Sequence, residues 1–246
     1  MKVALVSLAI GDKYLIEYSR NFRPSHEAYA KKCGYDFKLV TDYLDPSFRV
    51  KDAITFNKLL ACSQPWSKEY DYIIVVDADI LINPNSPPIH LAYSYGDKIG
   101  MVDEFSQPTT AMHIEIQKIN NFEETATDYY QLHARKRLVT DSVLNTGLMV
   151  LQPSKHRGLL EDIYNKYARL SVGNKSGYHF EQASVGYEIQ SANAYLIMEN
   201  RWNAVWCQQS IVGNISLEAY VNKNYFTHFV GGMFHEYVPH LRFDIV

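Results

Sequence analysis

The chain has 246 residues, 47% of them apolar and 21% charged, which excludes a disordered or low-complexity protein and fits one globular domain. A net charge of −3 and a sequence pI near 6.3 exclude a general electrostatic pull toward nucleic acid or anionic membrane. An anionic ligand would therefore need local charge or a metal ion to hold it.

Residues 3–9 form a short apolar run rich in β-branched side chains and read as a buried first strand, closed by Gly11-Asp12. Asp12 caps a helical stretch carrying Tyr14, Leu15, Tyr18 and Phe22, interrupted at Pro24 and stopped by Gly34. Residues 37–40 read as a second strand and residues 54–62 as a helix with Phe56, Leu59 and Leu60 on one side. Residues 72–76 make a third, strongly apolar strand, and Asn83-Pro84-Asn85-Ser86-Pro87-Pro88 a loop. A fourth strand is expected over 99–102, ending at Asp103-Glu104, and a fifth over 148–151, closed by Pro153. An amphipathic helix over 159–170 and a late strand over 195–198 complete the pattern. The alternation predicts an α/β fold with a mixed, mainly parallel central sheet flanked by helices. Ligands in such sheets gather beyond the carboxyl ends of the strands, where Gly11-Asp12, Asp77, Asp79 and Asp103 fall.

Cys33, Cys62 and Cys207 are widely separated and form no CxxC pair or Cys/His cluster, which argues against a zinc site or disulfide frame and for a reducing compartment. The opening Met1-Lys2-Val3-Ala4-Leu5-Val6 lacks a signal-peptide pattern and no apolar run reaches membrane-spanning length, so the expectation is a cytoplasmic protein without a membrane span. The sequons at Asn174 and Asn214 then read as coincidental. The 19 tyrosines suit sugar faces and nucleobases, but they suit ordinary cores equally.

Four segments carry chemistry. In Tyr72-Ile73-Ile74-Val75-Val76-Asp77-Ala78-Asp79, two carboxylates one residue apart leave an apolar strand, where they can share a divalent cation or simply end the strand in solvent. Thr227-His228-Phe229-Val230-Gly231-Gly232 offers an imidazole ligand and a glycine that lets backbone approach a phosphate; a core histidine is the plainer reading. Leu144-Asn145-Thr146-Gly147 reads as a turn feeding a strand, with amide and hydroxyl groups that either meet sugar hydroxyls or only shape the turn. His179-Phe180-Glu181-Gln182 marks a helix start, placing a carboxylate and an amide that either face a sugar or cap the helix.

In this order the segments resemble the GT-A glycosyltransferases of families 8 and 34, the glycogenin-like enzymes. The likeness is closer still to the small glycosyltransferase domains of large algal viruses, which share the Leu8-Ala9-Ile10-Gly11-Asp12 and Gly34-Tyr35-Asp36-Phe37-Lys38 segments with this chain. The resemblance implies a UDP-sugar donor, glucose- or galactose-like, a glycan or glycoprotein acceptor, and Mn²⁺ (or Mg²⁺) as cofactor. It implies a nucleotide-binding half over 1–102 and, over 103–246, an acceptor-binding half with the last metal ligand. Asp77 and Asp79 resemble the metal-binding D-x-D around Ala78, and His228 resembles the third ligand. Ser7, Leu8 and Ala9 resemble the wall that holds the uridine, with Tyr14 over the base. Gly231 matches the glycine of an H-x-x-G-x-x-K motif whose lysine is replaced by Phe234, which leaves Lys58 as the expected phosphate contact. Asp103, Asn145, Glu181 and Gln182 resemble the donor-sugar and catalytic residues, with Glu181 in place of the usual aspartate. A nucleotidyltransferase and a non-catalytic nucleotide-sugar-binding module are the alternatives. The first normally carries a glycine-rich, basic phosphate loop after the first strand, and the second needs no metal cluster.

Overall fold

The computed structural model describes residues 1–174 and 180–230. Among the described residues nine strands form: β1 (Val3–Leu8), β2 (Asp36–Val40), β3 (Tyr72–Asp77), β4 (Ile80–Ile82), β5 (Ile99–Asp103), β6 (Leu144–Leu151), β7 (Tyr195–Met198), β8 (Ala204–Val205) and β9 (Phe226–His228). The α-helices are α1 (Asp12–Asn21), α2 (Arg23–Cys33), α3 (Thr110–Asn120), α4 (Ala126–His133), α5 (Pro153–Tyr167), α6 (Glu181–Ser191), α7 (Trp206–Val212) and α8 (Leu217–Lys223). Six strands make a central sheet in the order β2-β1-β3-β6-β5-β7. β1 pairs in parallel with β2 and β3, as β5 does with β7, while β6 runs antiparallel to both its neighbours. The sheet is mixed and mainly parallel, as the alternation predicts.

Alternation along the strands builds the two layers of core. Ala4, Val6, Ile73, Val75, Met149 and Leu151 face one side and pack on α5 and on the 3₁₀ segment Lys51–Ser63. Leu5, Ile74, Val76, Leu148 and Val150 face the other side, against Tyr29, Tyr95 and Trp202. A third cluster, with Ala9, Tyr18, Phe22, Leu81, Trp206 and Phe229, lies under a second, three-stranded sheet of order β4-β9-β8. That small sheet has no counterpart in the sequence reading, because strands of two or three residues carry no readable period.

The expected break near Pro24 occurs at Phe22, and Pro24 sits in the first turn of α2, where a missing N–H costs nothing. Gly34 ends that helix at φ 70°, a left-handed position open to glycine. Two local expectations need correction. The helix expected over 54–62 is a longer 3₁₀ segment, Lys51–Ser63. Asn145-Thr146-Gly147 is not a turn: it lies inside β6, whose eight residues are all buried. β6 is flanked by β3 and β5 in mid-sheet, so ladder hydrogen bonds and burial override the turn preference of Asn and Gly. All three cysteines are free thiols, and among the described residues no helix is long and apolar enough to cross a membrane.

Candidate functional site

β3 is buried between β1 and β6 and delivers Asp77 at its end; Ala78-Asp79 turn the chain into β4. β4 pairs antiparallel with β9, in a register that sets Ile80 opposite His228. This pairing brings the imidazole back to the acidic pair, with His228 Nε2 3.3 Å from Asp79 Oδ1. One ligand atom from each of Asp77, Asp79 and His228 lies within 4.8 Å of the others. An octahedral divalent ion spaces its ligands about 3 Å apart in cis and about 4.2 Å in trans, so the cluster fits a single ion after small side-chain adjustments. Asp79, Asp77 and Glu104 outweigh burial and raise the His228 imidazole above its ordinary range.

Behind the cluster lies a buried ion triad. Lys58, in the Lys51–Ser63 segment, sits 2.5 Å from Asp77 Oδ1 and 2.9 Å from Glu181 Oε1, and donates to the Thr146 carbonyl at 3.4 Å. Burial opposes the charge on Lys58, but the two carboxylates prevail and hold its ammonium above the usual lysine range. Burial likewise opposes ionisation of Glu181, and Lys58 and Thr146 overcome it to hold that carboxyl low. Burial and the neighbouring acids push Asp77 upward; we take it as ionised beside Lys58 because of the 2.5 Å contact. Lys58 has three N–H donors, and all three are engaged within the protein. Lys58, the expected phosphate contact, lines both of the cavities that meet here while its hydrogens meet these three neighbouring oxygens.

A second network joins β6 to the sugar-binding candidates. Asn145 Oδ1 accepts from Gly147 N at 2.8 Å and from Asn203 Nδ2 at 2.7 Å, while its Nδ2 donates to Glu104 Oε2 at 2.9 Å. Gln182 Nε2 donates to the same Glu104 oxygen at 2.8 Å. Asp103 stands apart from this group. It is buried, and its Oδ1 accepts from the backbone N–H groups of Phe105 and Val143, both at 3.0 Å. Asp103, the expected sugar contact, caps the turn that presents Glu104, and it is Glu104 that lines one of these cavities.

Two cavities meet at the acidic cluster. The first, about 410 Å³, is walled by Leu8, Ile10, Tyr14 and Ile54, with Lys51, Thr55, Lys58 and Asp77-Ala78-Asp79 along its floor and rim. The second, about 350 Å³, shares Thr55, Lys58, Asp77 and Asp79 and continues past Glu104, Tyr129, Asn145, Gln182 and His228. Ser7 and Ala9 line neither cavity; both are fully buried. The two-residue period that turns Leu8 and Ile10 toward the first cavity turns Ser7 and Ala9 away from it, so of the three expected wall residues Leu8 is the one that lines it. Lys51, Thr55, Tyr129 and Asn203 escaped the sequence reading, since none stands in a motif; Ile10 stands in the quoted Leu8-to-Asp12 segment but carried no assigned role. Gly231, Phe234 and His179 lie outside the described residues.

No known sequence family and no curated protein matches the chain by sequence. Solved structures do match. A glycosyltransferase involved in the glycosylation of the major capsid of PBCV-1 superposes with a TM-score of 0.60 at 15% identity, covering 94% of both chains. The galactosyltransferase LgtC, solved with donor and acceptor sugar analogs, gives 0.59 at 10% identity over 93% of this chain and 87% of that one. The bifunctional glycosyltransferase WbbM gives 0.59 at 15% identity over 94% of this chain and 46% of its own.

The protein has the GT-A fold. Identities of 10–15% carry the architecture and nothing finer. Within the GT-A core, the residues quoted above stand or fall on their own geometry.

Proposed function

We propose that the protein is a metal-dependent glycosyltransferase that moves a glucose- or galactose-like sugar from UDP to a glycan or glycoprotein hydroxyl. One observation carries this reading: two cavities of ligand size, one apolar-walled and one lined by amides and carboxylates, open on either side of the Asp77, Asp79 and His228 cluster. Two carboxylate oxygens and one imidazole nitrogen suit Mn²⁺, with Mg²⁺ as the harder alternative. Such an ion would neutralise the diphosphate as it leaves.

The chain's own groups account for the rest. Leu8, Ile10, Ile54 and the Tyr14 ring form a slot for a flat base, and Lys51 at its edge supplies the positive charge that the sequence reading sought at Lys58. All of these residues fall in the 1–102 half, which agrees with the division into a nucleotide-binding and an acceptor-binding part. In the second cavity Glu104, Asn145 and Gln182 are already cross-bonded, so their remaining donors and acceptors are pre-aimed at sugar hydroxyls. Glu181 is engaged by Lys58 and Thr146 and serves to set the electrostatics of the junction rather than to attack.

The test is turnover of UDP-glucose and UDP-galactose, followed by UDP release in Mn²⁺ and in chelator. Asp77→Asn and Asp79→Asn are each expected to lower turnover by roughly 10²-fold or more, the scale of losing one electrostatic stabiliser, with the fold intact by circular dichroism. Full activity of either variant, or of the parent protein in chelator, would remove the metal assignment.

A further inference from the structure

We propose that Asn203 fixes the proton of the His228 imidazole on Nδ1 and so reserves Nε2 as the metal-facing atom, through a hydrogen-bond chain anchored on the backbone of β6. The role given to Nε2 rests on the metal-dependent reading above; the position of the proton does not.

The oxygen and nitrogen of an amide side chain are normally assigned by inference, but here the chain of contacts leaves no freedom. A backbone N–H can only donate, and Gly147 N lies 2.8 Å from Asn145 Oδ1, so that atom of Asn145 is oxygen. The other end gives the same answer independently, because the Glu104 carboxylate accepts from Asn145 Nδ2 at 2.9 Å. The Asn203 atom 2.7 Å from Asn145 Oδ1 must then be its nitrogen. That places Asn203 Oδ1 3.0 Å from His228 Nδ1. An amide oxygen only accepts, so Nδ1 must carry hydrogen. A neutral imidazole has one hydrogen, which leaves Nε2 with its lone pair on the side of Asp79, 3.3 Å away.

Burial makes the chain binding. Asn203 is 0% exposed, Asn145 2% and His228 5%, so water cannot step in to satisfy a reversed arrangement. The opposite tautomer would set two lone pairs against each other at the 3.0 Å Asn203–His228 contact, whereas the bare Nε2 stands 3.3 Å from Asp79 Oδ1, where a shared cation would bridge the two. Asn203 cannot turn over to relieve this, because its nitrogen would be withdrawn from Asn145. Its backbone is also clamped: Gln107 Nε2 donates to Asn203 O at 3.0 Å, and Gln107 Oε1 accepts from Val205 N at 2.9 Å. The relay thus runs from the β6 backbone through Asn145 and Asn203 to the imidazole, and Asn203 acts as a positioning residue.

Long-range ¹H–¹⁵N correlation on metal-free protein labelled at its histidines tests this directly. The spectrum is recorded well above neutral pH, where the ring holds one proton, and His228 is identified by the signal lost in His228→Gln. The expected wild-type pattern is a protonated Nδ1 and a bare Nε2. A bare Nδ1 in the wild type would overturn the proposal. Asn203→Leu is expected to move the proton to Nε2 and to weaken Mn²⁺ binding, measured by calorimetry with the metal alone, by about 10–100-fold. An Asn203→Leu protein that keeps both the wild-type tautomer and its Mn²⁺ affinity would also overturn it. Failure of the metal reading looks different: the wild type shows Nδ1–H and takes up no Mn²⁺, which removes Nε2 as a ligand while the proton stays where the relay puts it.

Discussion

Replacing Lys58 by methionine keeps an unbranched side chain of similar length and removes the charge at the centre of the buried triad. At an effective dielectric near 20, a charge pair at the 2.9 Å Lys58–Glu181 separation attracts by about 6 kcal/mol, most of it offset by desolvation in the intact protein. Taking away the ammonium alone exposes that desolvation cost. Glu181, with a side chain 5% exposed, would face Asp77 with no counter-charge, whereas Asp77 at 29% can still be reached by water. Breaking a buried pair in this way costs about 3–5 kcal/mol. For a chain of this size that corresponds to a fall in Tm of about 6–20 °C. Lys58→Met/Glu181→Gln removes both members and keeps the hydrogen bond from Thr146, so it is expected to regain at least half of the loss. The deficit of the single variant should also shrink as pH falls and Glu181 takes up a proton. Thermal and urea melts of the three proteins at pH 7 and pH 5 measure all of this. A single variant that melts within about 3 °C of wild type, or a double variant less stable than the single, would refute the reasoning.

A Cβ added at Gly147 would strike the His228 ring, lying 2.8 Å from Nδ1 and 3.0 Å from Asn145 Oδ1. Gly147→Ala is therefore expected to cost about 1–3 kcal/mol in urea melts and to weaken Mn²⁺ binding about tenfold or more; unchanged calorimetry would show that the ring can retreat freely. His26 is buried beneath β4, bonded to Ile80 O at 2.7 Å and to the Tyr18 hydroxyl at 3.2 Å, and burial pushes its pKa down to about 4. The unfolded chain binds this proton near pH 6.5, so the stability is complete above that pH and is lost as pH falls from about 6.5 to 4, by up to about 3 kcal/mol. In denaturation curves across that window, the stability of wild type should fall more steeply with falling pH than that of His26→Gln, so the gap between them changes as pH drops if the ring is titrating; parallel curves would assign the pH dependence elsewhere.

The acidic strand was legible because two signals coincide there: an unbroken apolar run long enough for a buried strand, and a pair of carboxylates where it must end. Asn145-Thr146-Gly147 misleads for the opposite reason. Its residue types are turn formers, yet here each has a use inside a strand: Asn145 bonds Asn203 and Glu104, Thr146 bonds Glu181 and Lys58, and Gly147 leaves space for His228. Local preference cannot reveal that two other strands will flank the segment. Asp103 and Glu104 show the limit of position along the chain, since only the turn decides which carboxylate caps backbone and which faces the cavity. Asn203 was beyond reach altogether, a lone amide between a single 3₁₀ turn and a two-residue strand.

The short pairing of β4 with β9 has a consequence for how the protein comes into being. Asp77 and Asp79 leave the ribosome well before His228, which pairs back onto them only through β9. Because alternate residues of a strand face opposite ways, the imidazole reaches the acidic pair only if β9 docks in the one register that sets His228 against Ile80. A nascent or truncated polypeptide that stops short of β9 lacks the complete ligand set. Under the proposed function, such a polypeptide would not consume sugar donors, and the docking of β9 would be the step that switches the enzyme on.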